Sequence, residues 1–241
     1  MYDILQPVFH FSTTKNFAKL IKMYLSQLLC ELCAVAYKHD VKVPIFGFTS
    51  VKKYEHDNAC VYVFKNDKAI VLAFRGSNDI NDWVSNIHVE PVVTLHGTIH
   101  SGFYKEYEKL APLFEPDINN AEARTIFLTG HSLGGALALI TACFFRQLNP
   151  VVITFGSPRV GTTLFNSKVS TLRYIRWING SDKICRLPVR KYSHCGIERR
   201  LQFPWYKRLT NRSPHHIYNY LKSIRSNDIS ILEYEDLLKI E

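Results

Sequence analysis

Ser132 lies at the centre of a glycine-rich turn, Gly130-His131-Ser132-Leu133-Gly134, which joins two apolar segments. Residues 126–128 are predicted to form a short buried strand, and residues 133–148 repeat apolar side chains at helical spacing. A serine on a sharp strand-to-helix turn projects its hydroxyl away from the sheet, and the flanking glycines make room for the neighbouring elements. The pattern predicts a nucleophilic serine, with the N–H of Leu133 at the helix N-terminus stabilising an oxyanion.

A serine hydroxyl is a poor nucleophile at neutral pH, so it needs a histidine to accept its proton and an acid to orient that histidine. On this type of turn the acid and the histidine follow the serine along the chain. Asp182 comes soon after a predicted strand, residues 172–178, where an acid at the sheet edge is expected. The later candidate bases are His194, His215 and His216, and the last two precede a helical segment.

A second oxyanion donor is expected at Ser77, which follows the apolar strand at residues 69–74. A strand ending in Arg-Gly-Ser offers a backbone N–H and a hydroxyl to the space beside the serine turn. The amphipathic stretch at residues 78–93 is predicted to form either a mobile cover over the site or a packed surface helix.

Apolar strands and amphipathic helices alternate along the chain. The strands are predicted at residues 60–64, 69–74, 126–128, 151–155 and 172–178, and the helices at residues 16–38, 104–114, 133–148 and 216–224. Residues 41–54 are predicted to be a loop. This alternation predicts an α/β fold with a mainly parallel central sheet and helices on both faces.

Seven ordered segments resemble the class 3 (fungal-type) lipase family of α/β-hydrolases. They are Phe74-Arg75-Gly76-Ser77 with Asp82, Trp83 and Asn86; His100-Ser101-Gly102-Phe103; residues 129–138; residues 154–161; Asn179 with Asp182; Leu187-Pro188; and residues 192–198. The resemblance implies the α/β-hydrolase fold and a serine ester hydrolase acting on acyl lipids such as triacylglycerol. It implies no metal and no organic cofactor.

The resemblance also implies residue roles. Ser132 corresponds to the nucleophile and Asp182 to the triad acid, while Ser77 and the Leu133 N–H correspond to the oxyanion hole. Residues after Ser77 correspond to a lid that opens at a lipid surface, and therefore imply transient contact with a membrane or lipid droplet.

Two histidines remain open as the base under this resemblance. His215 is preferred because Tyr218 and Tyr220 follow it at spacings that resemble the family's terminal histidine motif, and His216 is the alternative. His194 matches a family histidine that is not the base.

The chain departs from the family pattern near the acid and the base. Lys183-Ile184-Cys185 follows Asp182 where the family often has a Val-Pro pair, and Pro214 precedes His215. These departures leave the substrate open. One alternative is a phospholipase or lysophospholipase, and another is a catalytically idle module that binds lipid or protein.

Composition and charge fit a single α/β domain spanning all 241 residues, with 46% hydrophobic and 21% charged side chains. The net charge is +9, concentrated in a basic stretch at residues 183–212, whereas the tail from about residue 227 is acidic. The basic stretch favours an anionic lipid surface, and no motif indicates nucleic acid. The first residues lack a signal-peptide pattern and the six cysteines lack a disulfide framework, so an intracellular location is expected.

Overall fold

A seven-stranded sheet organises the chain in the computed structural model, which describes residues 14–226 except 39, 58, 78–89, 123, 190 and 203–212, with side chains from residue 25 onward. In chain order the strands of the described residues are β1 (Ser50–His56), β2 (Ala59–Lys65), β3 (Ala69–Arg75), β4 (Pro91–Thr94), β5 (Gly97–His100), β6 (Thr125–His131), β7 (Val151–Phe155), β8 (Arg173–Asn179) and β9 (Ile197–Leu201). The large sheet has the order β1-β2-β3-β6-β7-β8-β9, and β4 pairs with β5 separately.

The large sheet is mainly parallel. β1, β2 and β3 form an antiparallel meander, whereas β3, β6, β7, β8 and β9 run parallel to one another. Every residue of β3 and β7 is buried, as expected for parallel strands that are covered on both faces. The carboxyl ends of the parallel strands therefore meet at one edge, where polar side chains from separate segments can converge.

Helices cover both faces of the sheet. They are α1 (Thr14–Val35), α2 (Ser101–Asn119), α3 (Leu133–Phe144), α4 (Thr163–Lys168) and α5 (Ile217–Ser226). The core on one face joins α2 and α3 to the sheet, through residues such as Leu110 and Leu137. The core on the other face joins α1 and α5, through residues such as Leu29 and Leu221. The predicted α/β fold class is confirmed.

The structure corrects two expectations about single elements. Residues 41–54 were expected to be a loop, but β1 begins at Ser50. This is an edge strand with mostly exposed polar side chains, so it carries no apolar alternation to reveal it. The helix expected to stop near Pro116 continues to Asn119, because its prolines face solvent while Leu110, Phe114 and Ile118 remain buried in the core.

Some expectations fall partly or wholly outside the described residues. These are the chain start, most of the predicted lid at residues 78–93, part of the basic stretch and the acidic tail. The extent of the single domain therefore stays a prediction. None of the helices in the described part of the chain combines the length and the apolar character needed to span a bilayer.

Candidate active site

Ser132 occupies a strained turn between β6 and α3. Its backbone has φ 59° and ψ −128°, a conformation that side-chain-bearing residues rarely adopt. Close packing imposes the turn. A Cβ at Gly130 would collide with the carbonyl of Gly134, and a Cβ at Gly134 would collide with the carbonyl of Phe74. The two glycines therefore let α3 pass directly over the ends of β3 and β6, as the sequence predicts for a nucleophile elbow.

The end of β3 reaches the same point from the other side. A Cβ at Gly76 would lie 2.6 Å from the hydroxyl of Tyr37 and 3.0 Å from the Cβ of Ser132. Ser77, the next residue, lines the same pocket as Ser132. Leu133 is the first residue of α3, and the first N–H groups of a helix have no partner within that helix. Both predicted oxyanion donors thus belong to segments that border Ser132.

Asp182 and His215 form a buried pair at the carboxyl edge of the sheet. Nδ1 of His215 lies 2.7 Å from Oδ2 of Asp182, although 33 residues separate them. His215 is 7% exposed and Asp182 is 1% exposed. Gly156 packs against both, because a Cβ there would lie 3.0 Å from Oδ2 of Asp182 and 3.1 Å from Nδ1 of His215. Since the carboxylate accepts the Nδ1 proton, Nε2 of a neutral His215 is the atom that can act as a base.

Two further donors hold the carboxylate of Asp182. The hydroxyl of Tyr220 donates to Oδ2 at 2.7 Å, and the backbone N–H of Ile184 donates to Oδ1 at 2.9 Å. Burial alone would raise the pKa of Asp182, but its hydrogen bonds with His215, Tyr220 and Ile184 outweigh burial and lower it. Asp182 is therefore ionised at neutral pH, as an acid that stabilises an imidazolium must be.

A pocket of about 330 Å³ opens over Ser132 and His215. Its walls include Ser77, Ser132 and His215, together with Tyr37, His216 and Tyr218. Neither Oγ of Ser132 nor Nε2 of His215 has a hydrogen-bond partner among the residues that the structure describes. A nucleophile and a base that are buried in one pocket, each with its reactive atom uncommitted, can accept a substrate between them.

The other candidate histidines have different surroundings. His216 is exposed and its ring stacks on Tyr218, and among the described residues it makes no hydrogen bond with Asp182. Nε2 of His194 lies 2.6 Å from the carbonyl of Cys185, and burial lowers the pKa of His194 to about 4. His100 caps α2, where its Nδ1 accepts from the N–H of Gly102 at 3.1 Å. Among the described residues, His215 is the only one of the three late histidines that contacts Asp182.

Two site residues escaped the sequence analysis. Tyr37 lies just beyond α1 and its hydroxyl is 2.8 Å from Nδ1 of His131, 94 residues away. Nε2 of His131 is in turn 2.6 Å from the backbone carbonyl of His215. No local pattern marks Tyr37, because nothing near it in the chain indicates its partner.

In the described part of the chain, no group of three or more His, Cys, Asp or Glu residues is arranged to hold a metal ion.

The sequence of this chain matches the model of one protein family. The model described as Lipase (class 3) matches residues 71–192, just over half of the 241 residues. The chain belongs to the class 3 lipase family. The matched segment includes Ser77, Ser132 and Asp182, whereas His215 lies beyond it.

Two curated relatives illustrate the similarity. A lipase of Rhizomucor miehei is 31% identical over 191 residues, which cover 72% of this chain and 50% of that protein. Secreted mono- and diacylglycerol lipase 1 of Fusarium solani is 33% identical over 145 residues, which cover 54% of this chain and 43% of that protein. The chain therefore spans about half or less of the length of these relatives.

Solved structures of lipases share the fold. The triacylglyceride lipase of Rhizomucor miehei superposes with a TM-score of 0.59 at 23% identity, covering 79% of this chain and 82% of that one. The Lip2 lipase of Yarrowia lipolytica superposes with a TM-score of 0.61 at 18% identity, covering 80% of each chain. At these identities the likeness establishes the α/β-hydrolase architecture and nothing finer.

Proposed function

We propose that this class 3 lipase is a serine ester hydrolase acting on acyl lipids, such as triacylglycerol or a related lipid. The single observation that carries the proposal is the contact of His215 with Asp182 beside the strained Ser132 turn. A buried acid–histidine pair behind a serine elbow is the arrangement that activates a serine hydroxyl. Membership in the class 3 lipase family supports an acyl ester as the substrate.

In the proposed reaction, Oγ of Ser132 attacks the ester carbonyl carbon and its proton passes to Nε2 of His215. The carbonyl oxygen becomes an oxyanion, held by the hydroxyl of Ser77 and the N–H of Leu133. The bond to the alcohol then breaks, and His215 returns the proton to the alcohol oxygen. Asp182 stabilises the positive charge on His215 throughout. The oxyanion donors are expected to lower the barrier by about 3 kcal/mol.

Water completes the cycle. It attacks the acyl group on Ser132 while Nε2 of His215 accepts its proton, and a second oxyanion forms in the same place. When the acyl–oxygen bond breaks, the proton returns to Ser132 and the fatty acid leaves. Each proton that His215 accepts is returned, so no other reactant than water is required.

A fluorophosphonate probe tests the proposal directly, because it phosphonylates an activated serine. Wild-type protein should be labelled, and Ser132→Ala should not. The matched control is Ser157→Ala, since Ser157 is also buried but its hydroxyl donates to the carbonyl of Pro158. Folded wild-type protein that resists labelling would contradict hydrolysis and favour an idle module that binds lipid or protein.

A phospholipase or lysophospholipase is the second candidate, and one observation favours it. Exposed Lys183, Arg186 and Lys191 follow Asp182 closely along the chain. Cations this close to the acid along the chain would attract an anionic headgroup, and also the surface of an anionic membrane. We also propose transient contact with a membrane or lipid droplet.

Charge reversal distinguishes the two lipid classes. The double variant Lys183→Glu/Arg186→Glu should lose cleavage of anionic phospholipid vesicles, while its hydrolysis of a soluble p-nitrophenyl ester stays unchanged. Lys168→Glu, an exposed cation on α4, is the control. For a phospholipase, vesicle cleavage should also weaken as salt increases. Equal cleavage of neutral triacylglycerol emulsions by wild type and the double variant would favour the triacylglycerol activity.

We also propose an intracellular location. The support is that all six cysteines are free thiols, and five of them are buried. Alkylation of denatured protein from native cells, without reductant, should modify six thiols. Modification of fewer would contradict a reducing compartment.

A further inference from the structure

We propose that Tyr37 and His131 are positioning residues that hold the backbone of His215, with His131 locked as the neutral Nε2–H tautomer. The inference rests on the proposed function, because the position of His215 affects the rate only if His215 is the base. It concerns a connected path of contacts that runs from the end of β3 to the loop before α5.

Three contacts form the path. The backbone N–H of Gly76 donates to the hydroxyl oxygen of Tyr37. The same hydroxyl lies 2.8 Å from Nδ1 of His131. Nε2 of His131 lies 2.6 Å from the carbonyl oxygen of His215. His131 is only 5% exposed, so these contacts are shielded from water.

The direction of each hydrogen bond follows from chemistry. A carbonyl oxygen can only accept, so Nε2 of His131 must carry a proton to bond to His215. In a neutral ring the other nitrogen is then an acceptor, so Tyr37 must donate to Nδ1 of His131. The Tyr37 oxygen thereby keeps a lone pair for the N–H of Gly76. Every donor along the path has one acceptor, and no proton is shared or missing.

The neutrality of His131 is essential to this arrangement. Burial, followed by repulsion from His215, lowers the pKa of His131 to about 3. Among the described residues, the charged or titratable groups that face it are His215, Asp182, His216, Tyr37 and Tyr220. The rings of His131 and His215 are 4.6 Å apart between centroids. Because His131 stays neutral, it does not repel the positive charge that His215 acquires during the reaction.

The path complements the other restraints on His215. Asp182 fixes Nδ1 at 2.7 Å, and the backbone N–H of His215 donates to Oγ of Ser213 at 3.2 Å. Among the described residues, His131 alone donates a hydrogen bond to the carbonyl oxygen of His215. Since the path starts at Gly76, beside Ser77, it couples the base to one proposed oxyanion donor. A small displacement of a base lowers kcat while substrate binding is retained.

Nitrogen NMR of histidine tests the tautomer without any need for activity. In wild-type protein at pH 7, the His131 ring should give the pattern of a neutral ring protonated at Nε2. In Tyr37→Phe the Nδ1 resonance should shift, because its hydrogen bond is lost. A charged ring, or a ring protonated at Nδ1, would overturn the inference even if Tyr37→Phe failed to fold.

Kinetics test the positioning role. Tyr37→Phe should lower kcat about tenfold, the loss expected for one hydrogen bond, with KM within twofold of wild type. Tyr62→Phe is the matched control, because its hydroxyl donates to the carbonyl of Lys38, next to Tyr37 in the chain. The control should leave kcat unchanged. An active wild type and a Tyr37→Phe variant with the same kcat would overturn the inference.

A double variant separates the path from a general loss of packing. His131→Leu removes both ring nitrogens, and with them the donor to the His215 carbonyl and the acceptor for Tyr37. Adding Tyr37→Phe to His131→Leu should therefore lower kcat less than twofold, whereas independent effects would multiply to the full tenfold. Failure of the proposed function itself has a different signature, namely wild-type protein that the fluorophosphonate does not label.

Discussion

The hydroxyl of Tyr220 donates to Oδ2 of Asp182 at 2.7 Å, the same oxygen that contacts Nδ1 of His215. The Tyr220 oxygen also accepts the backbone N–H of Asn179 at 3.0 Å. Burial, followed by the nearby Cys185 and Asp182, raises the pKa of Tyr220, so the phenol stays protonated and remains a donor. One side chain on α5 thus ties the acid to the end of β8.

Replacing Tyr220 with Phe should therefore affect both the rate and the stability. We expect kcat to fall about tenfold, and the free energy of unfolding to fall by about 2 kcal/mol because the Asn179 N–H is left buried without its acceptor. Steady-state kinetics and urea unfolding check this. Tyr174→Phe is the control, since Tyr174 is equally buried but bonds to Thr154. It should lose stability alone; equal kcat losses in both variants would contradict a specific role for Tyr220.

The two adjacent histidines before α5 should differ sharply. His215→Ala should reduce fluorophosphonate labelling at least 10³-fold, because the base is lost. His216→Ala should stay within threefold of wild type, because His216 is exposed and stacks on Tyr218 rather than on Asp182. The initial rate of labelling measures both. The reverse ranking would make His216 the base.

Gly156 should be intolerant of a side chain. Its φ is +64°, and a Cβ would lie 3.0 Å from Oδ2 of Asp182 and 3.1 Å from His215. Gly156→Ala should cost about 1–2 kcal/mol of unfolding free energy from backbone strain and should also displace the pair, lowering kcat. Gly47→Ala shares the strain, at φ +80° on an exposed turn, without touching the site. Full activity in Gly156→Ala would show that the contact does not constrain the pair.

Two histidines whose pKa values are lowered, His131 and His194, should make the protein sensitive to acid. Burial is the main cause that lowers the pKa of His131 to about 3 and of His194 to about 4. An unfolded histidine has a pKa of about 6.5, so between pH 6.5 and about 4 the unfolded chain binds protons that the folded chain does not. The free energy of unfolding should fall as pH falls, by up to about 1.4 kcal/mol per unit for each histidine.

Urea unfolding at pH 7, 5.5 and 4.5 measures this slope. His194→Gln should flatten it, because the amide can still donate to Cys185 but does not titrate. His56→Gln is the control at a side chain that is 46% exposed. Parallel curves for His194→Gln and wild type would contradict the effect of burial.

Family membership and fold class followed from the sequence and were both confirmed. Their signals can be read within short segments of the sequence. The turn requires glycine at positions 130 and 134, and buried parallel strands must be apolar throughout. The edge strand β1 was missed because its side chains are mostly exposed and polar, so burial leaves no pattern in them.

The sequence by itself determined which residue types are available for the chemistry, and it named Ser132, Asp182 and Ser77 from their positions at strand ends. It left His215 and His216 both open, since residues one position apart share the same local signals. Only the tertiary structure distinguished their environments, because the chain just before α5 places the ring of His215 against Asp182 and leaves His216 exposed to solvent. Likewise, it alone joined Tyr37 to His131, since contacts between distant segments depend on how the whole sheet packs.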